Sequence, residues 1–344
     1  MTPDPRHWAS METLEVRKAV QLGLADLQPG SVVLVGCSGG PDSIALAAAA
    51  AFVGQSLGLK VGAVIVDHQL QAESTAVAAA ARSACLAFGL DPVVIARAEV
   101  GTTGGPEAAA RTARYEALTA TAASHHAAAI LLGHTREDQA ETVLLRLARG
   151  SGTRSIAAMR PVAGLLRRPL LSLPREVVRA SAVDVCAPLN LEPWQDPHNS
   201  DNRFARVRLR TALESLHAAL GPGLVSGLAR SAELATDDAD ALDEWAQAAF
   251  SRYAEFVDGR LEVDAAEFAQ LPVAIRTRVI RRMCTELGSI PEDVTRSHVL
   301  AVDALVSAWH GQGAVSLPGR VKASREYGRL VLTTVLDAGD PVAT

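Results

Sequence analysis

The 344-residue chain has almost no lysine. Lys18, Lys60 and Lys322 are its only three, so arginine makes up nearly all of the 33 basic residues. A GC-rich genome alone would favour such an alanine- and arginine-rich composition. Aromatic residues are also scarce, at 4%, which leaves few rings on which single-stranded nucleic acid could stack. There are four cysteines, Cys37, Cys85, Cys186 and Cys284, with no C-x-x-C spacing. This excludes a disulfide scaffold, gives no sign of a zinc site or redox pair, and points to a reducing compartment. No long apolar run is present. The least charged stretch, residues 43–59, contains two glycines and a glutamine, is too short to span a bilayer, and reads as a buried crossover helix. The first fifteen residues carry acids and prolines without an apolar core, so no secretory leader is expected. A cytoplasmic protein with no membrane partner is predicted. Neither G-x-x-x-x-G-K-[ST] nor G-x-G-x-x-G occurs, which removes the two commonest nucleotide-loop signatures.

Hydrophobic residues are 49% and charged residues 21% of the chain, ample for a core and incompatible with disorder. At roughly 150 residues per domain, the length suggests about two domains. The first half alternates β-branched runs (31–37, 61–67, 92–96, 127–133) with alanine-rich segments of helical length (44–57, 73–88, 107–123). Continuous apolar strands separated by helices predict an α/β fold, a parallel sheet covered on both faces. Ligands in such sheets bind beyond the carboxyl ends of the strands. Helical patterns dominate after residue 204, with a breaker at Gly221-Pro222-Gly223 and a strand-like tail over 314–336. We place the boundary in 210–222, giving a catalytic domain 1–212 and a smaller, mostly helical domain 213–344 with a few strands.

Each strand end carries polar residues. The first ends in Cys37-Ser38-Gly39-Gly40-Pro41-Asp42-Ser43. Two glycines let backbone N–H groups turn toward an anion, Pro41 suits a first helical turn, and the following helix adds its dipole. Ser38 and Ser43 are candidate phosphate donors. Asp42 would repel phosphate unless a metal intervened, so it is a candidate Mg2+ ligand. The second strand ends at Asp67-His68. Glu107, Arg111 and Arg114 share one helix face. The fourth strand ends in Gly133-His134-Thr135-Arg136-Glu137-Asp138-Gln139-Ala140-Glu141-Thr142. A histidine beside carboxylates there suits proton transfer or metal positioning, although Thr135 and Asp138 also have capping-box spacing. Arg206 and Arg210 share a helix face.

Ser38-Gly-Gly-Pro-Asp-Ser43 resembles the S-G-G-x-D-S signature of the PP-loop ATP pyrophosphatases, with their adenine nucleotide α-hydrolase-like fold. Within that family, Asp67-His68, Ala110-Arg111 with Arg114-Tyr115, Gly133-His134 with Asp138-Gln139 and Glu141-Thr142, Arg149-Gly-Ser-Gly152 and Arg168-Pro-Leu-Leu171 resemble the tRNA(Ile)-lysidine synthetases. Departures fall at Gln71, Glu137, 156–158, Gln195, His198, Phe204 and Val207. The resemblance implies that ATP and Mg2+ bind at Ser38, Gly39, Gly40, Pro41, Asp42 and Ser43, with Asp67 and His68 shaping the adenine or substrate side. It implies catalytic roles for Asp42, Arg111, His134, Asp138 and Arg206, with Glu141, Arg114 and Arg149 toward substrate. Arg111 is favoured over Arg114 because its helix begins near the strand ends.

The implied reaction adenylates C2 of the wobble cytidine in the CAU anticodon of tRNA(Ile), after which free L-lysine displaces AMP to give lysidine. A 2-thiolating relative is the alternative, disfavoured by the missing cysteine pairs. An amide-forming small-molecule synthetase and a non-catalytic nucleotide sensor fit less well. The oligomeric state is left open, with a homodimer one option.

The net charge of −5, taken whole, argues against a polyanionic partner, but it averages opposites. Residues 131–210 hold 13 basic and 8 acidic residues, and residues 211–270 hold 3 and 12. We therefore expect a localised phosphate footprint, with the arginine-bearing segment 274–287 facing RNA and the acidic segment 214–267 facing away.

Overall fold

A computed structural model describes residues 9–69, 74–98, 101, 105–150, 152–196 and 205–335. Gln71, His198 and Phe204 lie outside the described residues. The chain divides into two compact units between Thr236 and Asp237. The junction expected at 212/213 falls inside a helix of the first unit.

The first unit runs α1 (Met11–Leu24), β1 (Val32–Gly36), α2 (Pro41–Leu57), β2 (Lys60–Asp67), α3 (Ser74–Ala87), β3 (Val93–Arg97), α4 (Pro106–Ser124), β4 (Ala127–Leu131), α5 (Arg136–Ala148), α6 (Thr153–Ile156), β5 (Val162–Ala163), β6 (Leu166–Arg167), α7 (Arg175–Cys186) and α8 (Ala205–Leu220). The unit boundary lies within α9 (Leu224–Tyr253). The sheet order is β3-β2-β1-β4-β6-β5. All neighbours are parallel except β5, which pairs antiparallel with β6. The four predicted strands are β1 to β4.

Strand sequences that read as uniformly apolar still divide between two faces, because successive side chains point to opposite sides. Val33, Val35, Ala63, Ile65, Ala129 and Leu131 join one core with residues of α1, α2, α3 and α7. Leu34, Val64, Ile130 and Leu132 join a second core with Leu118 and Ala122 of α4. The sheet is thereby covered on both faces, as expected.

The sequence reading missed α1, yet its signals are present. Ser10 accepts a hydrogen bond from the Thr13 N–H at 3.1 Å, and Val16, Val20 and Leu24 bury one stripe. The Thr13 hydroxyl lies 3.1 Å from both Ser181 Oγ and Asp184 Oδ2 of α7. Arg167 of β6 pairs with Asp26 just beyond α1. Thr13 thereby fastens α1 to the helix that later supplies the site with arginines, and Arg167 ties the residues just beyond α1 to β6.

The second unit contains β7 (Glu255–Val257), β8 (Arg260–Asp264), α10 (Ala265–Ala269), α11 (Val273–Glu286), α12 (Arg296–Ser307), β9 (Val315–Leu317), β10 (Val321–Glu326) and β11 (Arg329–Thr334). They form a sheet of order β7-β8-β11-β10-β9. Two hairpins turn on Asp258-Gly259 and Tyr327-Gly328, each with both residues at positive φ, the pattern of a type I′ turn. The first hairpin was hidden in what read as an acidic helical segment. Its Asp-Gly pair was the available signal.

The arginines of α11, expected to face RNA, each have a partner within their own unit. Arg276 forms a two-pronged pair with Asp303 at 2.7 and 3.1 Å. Arg278 pairs with Asp243 at 2.9 Å, and Arg281 donates to the Pro291 carbonyl at 3.1 Å and to that of Val294. Arg282 lies 4.6 Å over the Phe250 ring and pairs with Glu286 at 3.2 Å. These guanidiniums are engaged within the unit. Asp243 comes from the acidic stretch expected to face away, a pairing that summed charges cannot reveal.

Gly62 in β2 has no room for a methyl group, since a Cβ there would stand 2.5 Å from the Pro92 carbonyl oxygen and 2.9 Å from Leu34 Cδ2. Gly227 in α9 has nothing within 4 Å of the same position. Gly62→Ala is expected to destabilise the protein by about 2 kcal/mol through overpacking. Gly227→Ala should stabilise it by about 0.5–1 kcal/mol through helix propensity. Denaturant unfolding of both variants checks the pair.

Candidate active site

Beyond the carboxyl ends of β1, β2 and β4 lies a cavity of about 410 Å3. The β1–α2 loop forms its floor. Gly39 sits at φ +83°, a conformation that favours glycine. The loop is tied internally: the Ser43 hydroxyl accepts from the Ser38 N–H at 3.2 Å and donates to the Gly40 carbonyl at 2.9 Å. Ser43 thus spends its one proton on the loop itself. The Trp194 N–H donates to the Gly39 carbonyl at 2.9 Å, securing the 191–196 segment against the loop. Gly133 at the end of β4 would place a Cβ 3.1 Å from the Asp42 carbonyl oxygen. Only glycine fits this approach without a shift.

Of the predicted site residues, Ser38, Gly40, Pro41, Asp42, Ser43, Asp67, His68, Arg114, His134 and Asp138 line this cavity. Gly39 shapes the turn without lining it. Arg114, rather than Arg111, reaches the wall. Arg111 is exposed, with its Nη2 3.2 Å from the Tyr115 hydroxyl. A shared helix face could not rank the two. Arg206 is half-buried and outside the lining, whereas Arg210, one turn further along α8, lines it. Arg149 is exposed at the far end of α5, about 16 Å along the axis from Asp138 at 1.5 Å per residue. Glu141 is buried beneath the cavity at 2% exposure.

Arg175 and Arg179, which sequence reasoning missed, line the cavity together with Arg210. They organise its acids. Arg175 Nη2 donates to Asp138 Oδ1 at 2.7 Å and to Glu141 Oε1 at 3.4 Å. Its Nε lies 3.9 Å from Asp42 Oδ2, and Arg179 Nε lies 3.8 Å from Asp42 Oδ1. Arg210 Nε donates to Glu141 Oε1 at 2.7 Å. The Arg175 N–H donates to Glu137 Oε2 at 2.8 Å, so the carboxylate kept at that departure caps α7. A signal existed in Leu173-Pro174-Arg175: a cation in a helix's first turn opposes the macrodipole and calls for nearby carboxylates.

Asp138 belongs to both the capping motif and the cavity. Its Oδ2 accepts from the Thr135 N–H at 2.8 Å, while Oδ1 faces Arg175. Burial works against its charge, but Arg175 and the Thr135 N–H hold its pKa below the usual range. Asp42 goes the other way, because burial raises its pKa more than Arg175 and Arg179 lower it. Its Oδ1 is buried and accepts no hydrogen bond. At Asp67, burial is outweighed by hydrogen bonds from Gln69, Ser74 and Thr75, and the pKa falls. Burial, followed by Arg114, lowers the pKa of His68. Burial pushes His134 down to about 3 against the pull of Asp138, and His134 Nδ1 has no hydrogen-bond partner. His134 is therefore a neutral imidazole at physiological pH.

Residues 12–216 match the family description "PP-loop domain", and residues 264–331 match "TilS substrate binding domain". The chain is 50% identical over 319 residues to a tRNA(Ile)-lysidine synthase of Thermobifida fusca, covering 92% of this chain and 96% of the relative. It is 48% identical over 310 residues to that of Streptomyces coelicolor, covering 89% and 86%. Among solved structures, the U34-tRNA thiolase NcsA from Methanococcus maripaludis with its [4Fe-4S] cluster aligns with TM-score 0.53 at 18% identity. That alignment covers 64% of this chain and 78% of that one, a likeness of fold.

His134 gives a pH signature. Its folded pKa is depressed from 6.5 to about 3, so the unfolded chain binds one proton more across that window. Its contribution is complete above about pH 6.5 and is lost as pH falls toward 3, with a slope of up to about 1.4 kcal/mol per pH unit. The stability of His134→Gln should fall less steeply than wild type between pH 6.5 and pH 4 in denaturant titrations at each pH.

Proposed function

Because this chain belongs to the tRNA(Ile)-lysidine synthase family, we propose that it joins free lysine to the wobble cytidine of the CAU anticodon of tRNA(Ile), using ATP. The cytidine C2 carbonyl oxygen attacks the α-phosphorus of ATP and pyrophosphate leaves. The lysine ε-amine then attacks C2, AMP departs with the oxygen, and the amine loses its extra proton. The observation that carries this reading is the convergence of a glycine-turned loop, buried carboxylates and arginines at the carboxyl ends of three strands in one cavity.

The loop 38–43 and the N-terminus of α2 supply N–H groups for the triphosphate. Arg114 and Arg179 offer positive charge where negative charge develops on the leaving pyrophosphate. Neutral His134, with Nδ1 unpartnered, offers a hydrogen-bonding atom without adding charge. Asp138, held ionised, and Glu141 beneath it are the acids toward the lysine ammonium. The Asp42 carboxylate, with a buried oxygen accepting no hydrogen bond, fits Mg2+, which takes one or two carboxylates alongside phosphate oxygens. Bound there, the ion would neutralise phosphate charge. The cytidine must leave the anticodon stack to enter the cavity. The second unit, whose description matches a substrate-binding domain, is the candidate surface for the rest of the tRNA.

A 2-thiolating reading is not favoured. Among the described residues, no three His, Cys, Asp or Glu side chains are grouped to hold a metal, so the four cysteines offer no cluster cradle. In a test with labelled lysine, ATP and a tRNA(Ile) transcript bearing CAU, label should enter RNA only when all three are present. Asp42→Asn should lower kcat/KM at least 100-fold, on the scale of losing a preorganised electrostatic group. Labelled sulfur entering the RNA, or lysine never entering, would overturn the reading.

A further inference from the structure

In this pocket the three carboxylates nearest the phosphate loop and α5 already face guanidiniums. Asp138 has Oδ2 committed to Thr135 and Oδ1 to Arg175. Glu141 has Oε1 shared by Arg210 and Arg175, with Oε2 3.4 Å from Arg210 Nη2. Asp42 faces Arg175 at 3.9 Å and Arg179 at 3.8 Å. Three carboxylates and three guanidiniums therefore balance one another. A further ammonium entering this cluster would find its partners taken and would add uncompensated positive charge to a half-buried site, an arrangement that costs free energy.

The two ends of this cluster differ. Asp138 and Glu141 lie on α5, whereas Asp42 lies on the phosphate loop itself. Arg175 spans them, with its side chain 16% exposed. A triphosphate on the loop brings several negative charges to the Asp42 end. Guanidinium matches phosphate and carboxylate geometry equally well and can exchange one for the other. Arg210 holds Glu141 at 2.7 Å and lies 3.7 Å from Asp138 Oδ1, a weaker contact than that of Arg175.

We infer that Arg175 is an internal competitor for the lysine ammonium, and that ATP on the loop draws it off Asp138 and Glu141 and so opens the lysine site. This rests on the function proposed above and makes Arg175 a positioning residue that orders substrate entry. A ligand shifts such an equilibrium only by its differential affinity for the two arrangements, and the coupling is reciprocal. ATP must therefore tighten lysine binding by the same factor as lysine tightens ATP binding.

Equilibrium dialysis of labelled lysine against the full chain, with Mg2+ and with or without α,β-methylene ATP, measures that factor. The wild-type protein should bind lysine at least tenfold tighter with the nucleotide. In Arg175→Ala the dependence should shrink to threefold or less, with lysine binding gained in the absence of nucleotide. Arg175→Lys, which restores a cation, should recover part of the coupling. A purely structural role would weaken both affinities and leave their ratio alone. Melting curves identify a variant that fails to fold, and Arg175→Gln then takes the place of Arg175→Ala. A wild-type ratio near one, or an unchanged ratio in the variant, overturns the inference. If lysine still enters tRNA while binding is uncoupled, only this inference falls. If lysine neither binds nor enters tRNA, the proposed function falls with it.

Discussion

One guanidinium, that of Arg175, holds the site in its observed form. It stands in the first turn of α7, where the helix dipole disfavours a cation, and it remains there because α5 supplies Asp138 and Glu141 and α2 supplies Asp42. Its own N–H is taken by Glu137, so the same residue fixes the start of α7 through the backbone and the acids through the side chain. Removing one member of a buried charge cluster leaves the others uncompensated, which costs on the order of 3–5 kcal/mol. The placement of α7 passes on to α1 through Thr13, Ser181 and Asp184. The cradle, the acid pair and the packing of three helices therefore share one electrostatic constraint.

The parts of this arrangement that depend on local rules were legible in the sequence. β-branched runs ending in polar residues marked β1, β2 and β4, and the ends of those strands converge on the cavity. Glycines at 39 and 40 marked where backbone had to turn, whereas the close approach at Gly133 emerged only from the structure. What could not be read was the choice between residues one turn or less apart. Arg111 against Arg114 and Arg206 against Arg210 differ by which side chain meets the wall, and tertiary packing decides that. Arg175 and Arg179 escaped notice because they belong to the helix after β6, and none of the motifs read in the sequence includes them. The charge map is coarse for a related reason. Summing charges along the chain treats segments as independent, whereas Arg278 and Asp243 lie 35 residues apart and are hydrogen-bonded.

The electrostatics of the cavity sort its titratable groups by environment. Asp138 receives an N–H and a guanidinium and stays ionised. Asp42 has an oxygen without a hydrogen bond, and burial raises its pKa. His134 lies between charged neighbours of both signs, yet burial dominates and keeps it neutral. A general base works best with a pKa near the operating pH, and an imidazole near 3 lies well below it. In this environment His134 is better suited to hydrogen bonding than to proton abstraction. An incoming ligand that added negative charge beside it would raise its pKa, so its proton affinity depends on what occupies the cradle.

The scarcity of lysine acquires a chemical sense in this setting. The cations lining the cavity, Arg114, Arg175, Arg179 and Arg210, are all arginines, while Lys18, Lys60 and Lys322 are exposed and outside it. In the proposed reaction an adenylated base waits for a primary amine. A pocket lysine whose pKa had been lowered by burial would be such an amine, held at high effective concentration, and could attack the activated carbon in place of the substrate. Guanidinium stays protonated and is no nucleophile, yet it binds phosphate and carboxylate through paired hydrogen bonds. Genome composition can account for arginine over the whole surface. Inside the cavity, the same preference leaves the substrate's amine without a rival from the protein.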